Sequence, residues 1–246
     1  GVTRCSGGIP GPDRVRGPRV RYDAVFLDVD GTLLSVELDL EGYVEDLAPY
    51  VVDGSLTVER AQRPVWEGLR RHIEGNIEHR TEEDLAAFKR RNAQITASQL
   101  GIRAPANVLA GVAERRISFI PYPESEAVLQ RLAEMDVRMY VVSNWDLELV
   151  EVLEGLGWMH YFDGFVVSAV SGVEKPDRRL FEEALEVSGV KGERAIHVGN
   201  DPVADVKGAA DAGIDTVLVN RGGIVEVPEA TFVVRDLGEL PDLLEG

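Results

Sequence analysis

The run Ala24-Val25-Phe26-Leu27-Asp28-Val29-Asp30-Gly31-Thr32 constrains this chain more than any other stretch. Its start has the continuous apolar character of a strand covered on both faces. Side chains two apart on a strand share a face, so Asp28 and Asp30 are delivered together where the strand ends. Two carboxylates held that close repel; a divalent cation relieves them, or their pKa values split. An Asp-Gly turn, with Thr32 capping the next element, accounts for Asp30 and Gly31. It does not account for Asp28, which interrupts the apolar run before the turn begins.

From Ser118 onward, apolar runs alternate with helical patterns. The expected strands are Arg138 to Ser143, Gly164 to Ser168, Ala195 to Gly199 and Thr216 to Asn220, with an edge piece at Thr231 to Val234. The helices between them have readable ends: Pro123 before Ala127-Val128-Leu129-Leu132, Asp146 before Leu147-Val150-Leu153-Leu156, Pro176-Asp177 before Leu180-Phe181-Ala184, and Asp201 before a helix from Pro202 to Ala212. Repeated strand-helix units predict an α/β fold with a mainly parallel sheet and right-handed crossovers.

Between Ser35 and Arg116 the pattern changes. Val58 to His72, Thr81 to Leu100 and Asn107 to Arg116 carry helical spacing with no convincing strand, and Thr81-x-x-Asp84 has the form of a capping box. An insertion of about 80 residues with its own apolar faces is expected to be a small helical domain. It departs just beyond the carboxylate pair, at the carboxyl ends of the strands where ligands of parallel sheets bind. It is therefore positioned to cover a site.

With 26 basic and 43 acidic residues the formal charge is −17, which excludes a nucleic-acid backbone or an anionic membrane surface as a natural partner. An anionic substrate would then need a local cation, a lysine or a helix N-terminus. The single cysteine, Cys5, cannot form an internal disulfide, and this points to a reducing, cytoplasmic setting. Residues 1–21, rich in Gly, Pro and Arg, read as a flexible arm rather than a secretory signal. No stretch is apolar for long enough to span a bilayer.

Three further strand ends carry polar groups: Ser143-Asn144, Glu174-Lys175-Pro176, and Gly199-Asn200-Asp201 with Asp205. Each has a plain explanation. Asp146 would cap the helix after Ser143-Asn144, Lys175 would be a solvated loop residue, and Asp201 would cap its own helix with Asp205 favoured by the dipole of the first turn. Only four of the 26 basic residues are lysines, which gives Lys175 added weight. No single plain explanation covers polar groups at successive strand ends of one sheet, and their convergence points to a site.

In order and spacing, Asp28-x-Asp30-Gly-Thr-Leu, the strand ending in Ser143-Asn144, Lys175-Pro176 and Gly199-Asn-Asp-x-x-x-Asp205 resemble the four motifs of the haloacid dehalogenase-like hydrolase superfamily. The resemblance covers nearly everything after the arm. It implies a Rossmann-like three-layer α/β/α core formed by residues 22–36 and 117–246, with an inserted all-helical cap of the C1 type at 37–116. It implies that Asp28 is a nucleophile on phosphorus and forms an aspartyl-phosphate, and that Asp30 protonates the leaving alcohol and then activates water. Mg2+ would be held by the Asp28 carboxylate, the Asp30 carbonyl and Asn200, with Asp201 or Asp205 as alternative or supporting groups. Thr32, Ser143, Asn144 and Lys175 would hold the phosphoryl oxygens. One position departs from the family: Asn200 stands where an aspartate is usual, which removes one negative charge from the cation.

The implied activity is hydrolysis of a small phosphorylated metabolite, since a closing cap excludes water and large substrates. A sugar-phosphate mutase uses the same two aspartates and a cap. Haloacid dehalogenases of the superfamily generally lack the second aspartate. A non-catalytic phospho-ligand binder is encouraged only by Asn200. The cap offers Arg70, Arg71, His72, His79, Arg80, Lys89, Arg90 and Arg91, none of which is assigned to specificity.

Overall fold

The computed structural model describes residues 21–223 and 227–245; the expected flexible arm at 1–21 lies outside them except for Arg21. The chain opens with β1 (Ala24–Leu27) and β2 (Leu34–Leu38), then four helices, α1 (Leu40–Leu47), α2 (Val58–Gly75), α3 (Glu82–Leu100) and α4 (Ala106–Arg116). There follow β3 (Ile117–Pro121), α5 (Ser125–Glu134), β4 (Arg138–Ser143), α6 (Leu149–Gly155), β5 (Gly164–Val167), α7 (Ser168–Ser171) and α8 (Arg178–Ser188). The last part contains β6 (Ala195–Gly199), α9 (Gly208–Asp211), β7 (Asp215–Val219), β8 (Phe232–Val234) and α10 (Leu240–Glu245).

Six strands form one parallel sheet in the order β5-β4-β1-β6-β7-β8. β1 is central, and alternate residues of its apolar run serve different layers. Val25 and Leu27 pack with Leu129, Leu132, Leu149, Leu153 and Trp158 on one face. Ala24 and Phe26 pack with Tyr140, Leu180, Phe181 and Ala184 on the other. Helices therefore cover both faces of a Rossmann-like sheet, which is why its strands lack polar alternation.

Helices α1 to α4 bury a separate apolar cluster built on Tyr43, Val44, Leu47, Ala61, Val65, Ala97, Leu100, Leu109 and Val112. Their ends are set by local chemistry. Thr57 Oγ1 accepts from the Arg60 amide and Thr81 Oγ1 from the Asp84 amide, each satisfying a donor the first turn leaves free. Gly101 closes α3 with a φ of +69°, a left-handed conformation that glycine adopts without a Cβ penalty.

The helix expected from Pro202 to Ala212 is instead a π-helical turn over Pro202–Lys207 followed by α9, and around the helical segment the structure departs from the sequence expectation in two more places. β2 pairs antiparallel with β3, residue Leu34 opposite Pro121 and Leu38 opposite Ile117, so a two-stranded ribbon stands at the root of the helical segment. Helix α1 precedes the first expected helix, and Asp39 caps it by accepting from the Gly42 amide. No described helix is long and apolar enough to cross a membrane.

Candidate active site

The parallel register brings the carboxyl ends of β1, β4 and β6 level: Leu27 lies opposite Val141 on one side and Val198 on the other. Asp28, Ser143 and Asn200 therefore arrive at the same edge. Asp28 is 6% exposed, and its amide donates to the Val198 carbonyl at 3.0 Å. Beyond it the backbone turns at Gly31, whose φ is +78°. A Cβ there would lie 2.3 Å from Asn200 Nδ2 and would push the Asn200 side chain out of place, so glycine suits both the turn and the Asn200 amide beside it.

The two Asp28 oxygens have different neighbours. Oδ1 accepts from Ser143 Oγ at 2.9 Å and from Lys175 Nζ at 2.8 Å. Oδ2 lies 3.5 Å from Thr32 Oγ1, which is itself 3.4 Å from Asn200 Oδ1. An amide clamp positions Lys175. Asn144 Nδ2 donates to the Lys175 carbonyl at 2.9 Å, and the Lys175 amide donates to Asn144 Oδ1 at 2.7 Å.

Lys175 Nζ also donates to Asp205 Oδ1 at 2.6 Å. Two buried carboxylates thus share one buried ammonium, and their proton affinities separate. Burial raises the Asp205 carboxyl, but the Lys175 charge and the His197 hydrogen bond outweigh it and hold Asp205 well below the ordinary carboxylate range. Burial and the Asp205 charge push Asp28 up against the pull of Lys175. Lys175 loses by burial, yet the charges of Asp205 and Asp28 keep it protonated above the usual lysine value. Asp30 reaches solvent, but the protein enclosing its base and the charge of Asp28 raise it against the Val36 and Gly31 amides. The direction suits a group that carries a proton.

The residues expected from the sequence therefore gather at one edge, in arrangements that differ in detail from expectation. Thr32 is wholly buried, with its hydroxyl between Asp28 and Asn200. The Ser143 hydroxyl is engaged with Asp28, and the Asn144 side chain with the Lys175 backbone. Asp205 has both oxygens committed, Oδ1 to Lys175 and His197 and Oδ2 to the Asp201 amide at 2.9 Å. Asp201 Oδ1 caps a π-helical turn over Pro202–Lys207 by accepting from Val203 and Ala204, each at 2.7 Å. Asp146, expected to cap the next helix, is buried and bonds the Glu148 amide and His72 Nε2, both at 2.9 Å; α6 starts at Leu149.

Among the described residues no three His, Cys, Asp or Glu side chains converge on a metal. What converges instead is a set of oxygens: Asp28 Oδ2, Asn200 Oδ1 and the Thr32 hydroxyl. An oxygen set of low charge fits a hard cation that keeps water ligands. Burial is the first cause of the raised Asp28 and Asp30 carboxyls, and a cation held at these oxygens would favour their charged forms.

Sequence reasoning missed His197, a polar residue midway along the apolar β6, although the same signal marked Asp28. It also missed the contacts that tie the helical segment to the sheet's loops: His72 to Asp146, Lys89 Nζ to Glu148 at 2.5 Å, and Arg80 Nη2 to the Val170 carbonyl at 2.6 Å. Arg221 was missed as well; it stacks 3.7 Å from the Tyr122 ring and donates to the Thr32 carbonyl at 3.1 Å.

A family profile described as haloacid dehalogenase-like hydrolase matches residues 22–213. The chain is 31% identical over 241 residues to the glyceraldehyde 3-phosphate phosphatase of Methanothermobacter thermautotrophicus, covering 90% of this chain and 99% of that protein. It is 39% identical over 123 residues to the phosphoserine phosphatase of Thermus thermophilus, spanning 50% of this chain and about half, 49%, of that protein. Among solved structures it resembles a HAD phosphatase from Thermococcus onnurineus, with a TM-score of 0.58 and 22% identity over 90% of this chain and 97% of that one. A 2-haloacid dehalogenase from Pseudomonas syringae shares the fold equally, with a TM-score of 0.63 and 23% identity over 91% and 98%. With its profile match, its full-length relative and its paired carboxylates at the central strand end, the chain belongs to the haloacid dehalogenase-like hydrolase family.

Proposed function

We propose that the chain is a Mg2+-dependent phosphomonoester hydrolase that acts on a small phosphorylated metabolite through an aspartyl-phosphate on Asp28. The observation that carries this reading is the pairing of Asp28, bonded to Lys175 at 2.8 Å, with a second carboxylate, Asp30, whose proton affinity is raised. An alkoxide needs a proton as it leaves, whereas a halide leaves as a stable anion, so Asp30 favours phosphate ester chemistry over dehalogenation.

In the first half-reaction an Asp28 oxygen attacks phosphorus. The ester P–O bond breaks, and the leaving oxygen takes its proton from Asp30. In the second, Asp30 takes a proton from water, which attacks the same phosphorus and releases phosphate from Asp28. Lys175 balances charge on the phosphoryl oxygens, and the Ser143 hydroxyl and the Asn144 clamp keep Asp28 and Lys175 in register. Mg2+, held by Asp28, Asn200 and the Asp30 carbonyl, would supply the positive charge that lets an anionic nucleophile approach an anionic ester.

The division into a core of residues 22–36 and 117–246 and a cap of 37–116 is part of the proposal. The separate apolar cluster of α1 to α4 supports it. The glyceraldehyde 3-phosphate phosphatase likeness supports a substrate of a few carbons. The test is phosphate release across a panel of phosphorylated metabolites, glyceraldehyde 3-phosphate included, with Mg2+ or with a chelator. Mg2+-dependent release from small esters is expected; isomer formation without release would establish the mutase instead.

A further inference from the structure

His197 sits at the centre of β6, opposite Phe26 on one side and Thr216 on the other, and is fully buried. Every residue of β6 is buried, so an apolar side chain would be the ordinary occupant. Among the described residues His197 Nδ1 has no hydrogen-bond partner, and leaving a buried polar nitrogen unsatisfied is costly. The other nitrogen explains the residue: Nε2 lies 2.9 Å from Asp205 Oδ1. A carboxylate only accepts, so the Nε2–H is the donor in this contact. The Phe181 ring, edge-on at 5.0 Å, fixes the ring orientation.

We infer that His197 is a positioning residue for Lys175, acting through Asp205. Asp205 is held from two elements at once, by His197 on Oδ1 and by the Asp201 amide at 2.9 Å on Oδ2, so its carboxylate cannot turn. Oδ1 is also the oxygen that takes Lys175 Nζ at 2.6 Å. The ammonium is thereby placed 2.8 Å from Asp28 Oδ1 by a chain that ends at a strand interior rather than in a loop. Without the Nε2–H donor, the carboxylate follows Lys175 instead of locating it, and the ammonium leaves the position where charge develops. That loss belongs to the transition state and not to ground-state binding.

The inference rests on the phosphatase reading for its kinetic arm, and the test combines kinetics with melting. Full-length wild type, His197→Phe, His197→Gln, Lys175→Met and the double variant His197→Phe/Lys175→Met are assayed with para-nitrophenyl phosphate at saturating Mg2+, and each is melted in chelator. Expected is a loss in kcat of about tenfold or more for His197→Phe, as for a lost hydrogen bond to a charged group. KM should stay within about twofold. Glutamine, which restores an N–H near the Nε2 position, should recover most of the rate. Adding His197→Phe to Lys175→Met should cost little more, because a residue acting through Lys175 has nothing left to act on. Wild-type kcat in His197→Phe, or an undiminished further loss in the double variant, would overturn the inference. His197→Leu serves if His197→Phe does not fold. If wild type shows no turnover, the phosphatase reading fails and the melting cycle decides this one. Non-additive shifts in Tm support it, and additive shifts overturn it.

Discussion

Lys175 Nζ stands 2.8 Å from Asp28 Oδ1 with both side chains withdrawn from solvent, so the ammonium and the carboxylate have few partners but each other and Asp205. Removing one member of a buried ion pair leaves an uncompensated charge. Lys175→Met is expected to lower stability by about 3–5 kcal/mol, measured by urea unfolding in chelator. In the same protein kcat should fall by about a hundredfold or more, since a charge aimed at the developing phosphoryl oxygens is lost.

Asp30→Asn separates proton transfer from phosphoryl transfer. An ester with a poor leaving group, such as an alkyl phosphate, is expected to lose about 10²–10⁴ in kcat, the range ascribed to a positioned acid or base. An activated phenyl ester should lose less, because its leaving oxygen needs no proton. Equal losses on both esters, read from steady-state kinetics, would remove Asp30 from the role of acid.

Asn200 contributes an amide oxygen beside Asp28 Oδ2 and the Thr32 hydroxyl. Replacing it by aspartate adds one negative charge with little change of shape. Asn200→Asp is expected to reduce the Mg2+ concentration for half-maximal activity by about tenfold, within the range by which such ligand changes move affinity. A magnesium titration of the rate, with isothermal calorimetry as a second readout, checks it.

Much of this arrangement is legible in the sequence because strand ends of a parallel sheet are marked twice, by the end of an apolar run and by the polar residues after it. Asp28, Ser143 and Asn200 carry that mark, whereas Lys175 lies beyond β5 and the short α7 and is held at the site by the Asn144 clamp. β2 and β3 carry no such mark. They are five residues each, half-exposed, and pair across the whole helical segment, so neither has a local signal strong enough to stand without its partner. His197 was hidden by the strand it sits in, where a single polar residue reads as tolerated rather than placed. Asp146 illustrates a different limit. Its position fits a helix cap, and only the fold brings His72 from α2 to within 2.9 Å of it.

That contact has a pH signature. Burial raises the Asp146 carboxyl, but the His72 hydrogen bond, the Glu148 amide, and the charges of His72 and Lys89 together hold it below its ordinary value. A carboxyl with a depressed folded pKa contributes stability that is fully present above its unfolded value, about pH 4, and is lost as pH falls through the folded value. Asp146→Asn is expected to lower stability by about 1–3 kcal/mol at neutral pH. Its deficit against wild type should shrink as the solution is taken below about pH 4, followed by thermal melting.

The central claim is that Asp28 accepts the phosphoryl group. The most direct measurement is phosphate release from a small phosphomonoester at saturating Mg2+ by wild type and Asp28→Asn, each first shown to melt cooperatively. The expected result is turnover by wild type and none above background by the variant. Turnover by the variant at a comparable rate, or none by wild type with any phosphomonoester or divalent metal, would contradict the account.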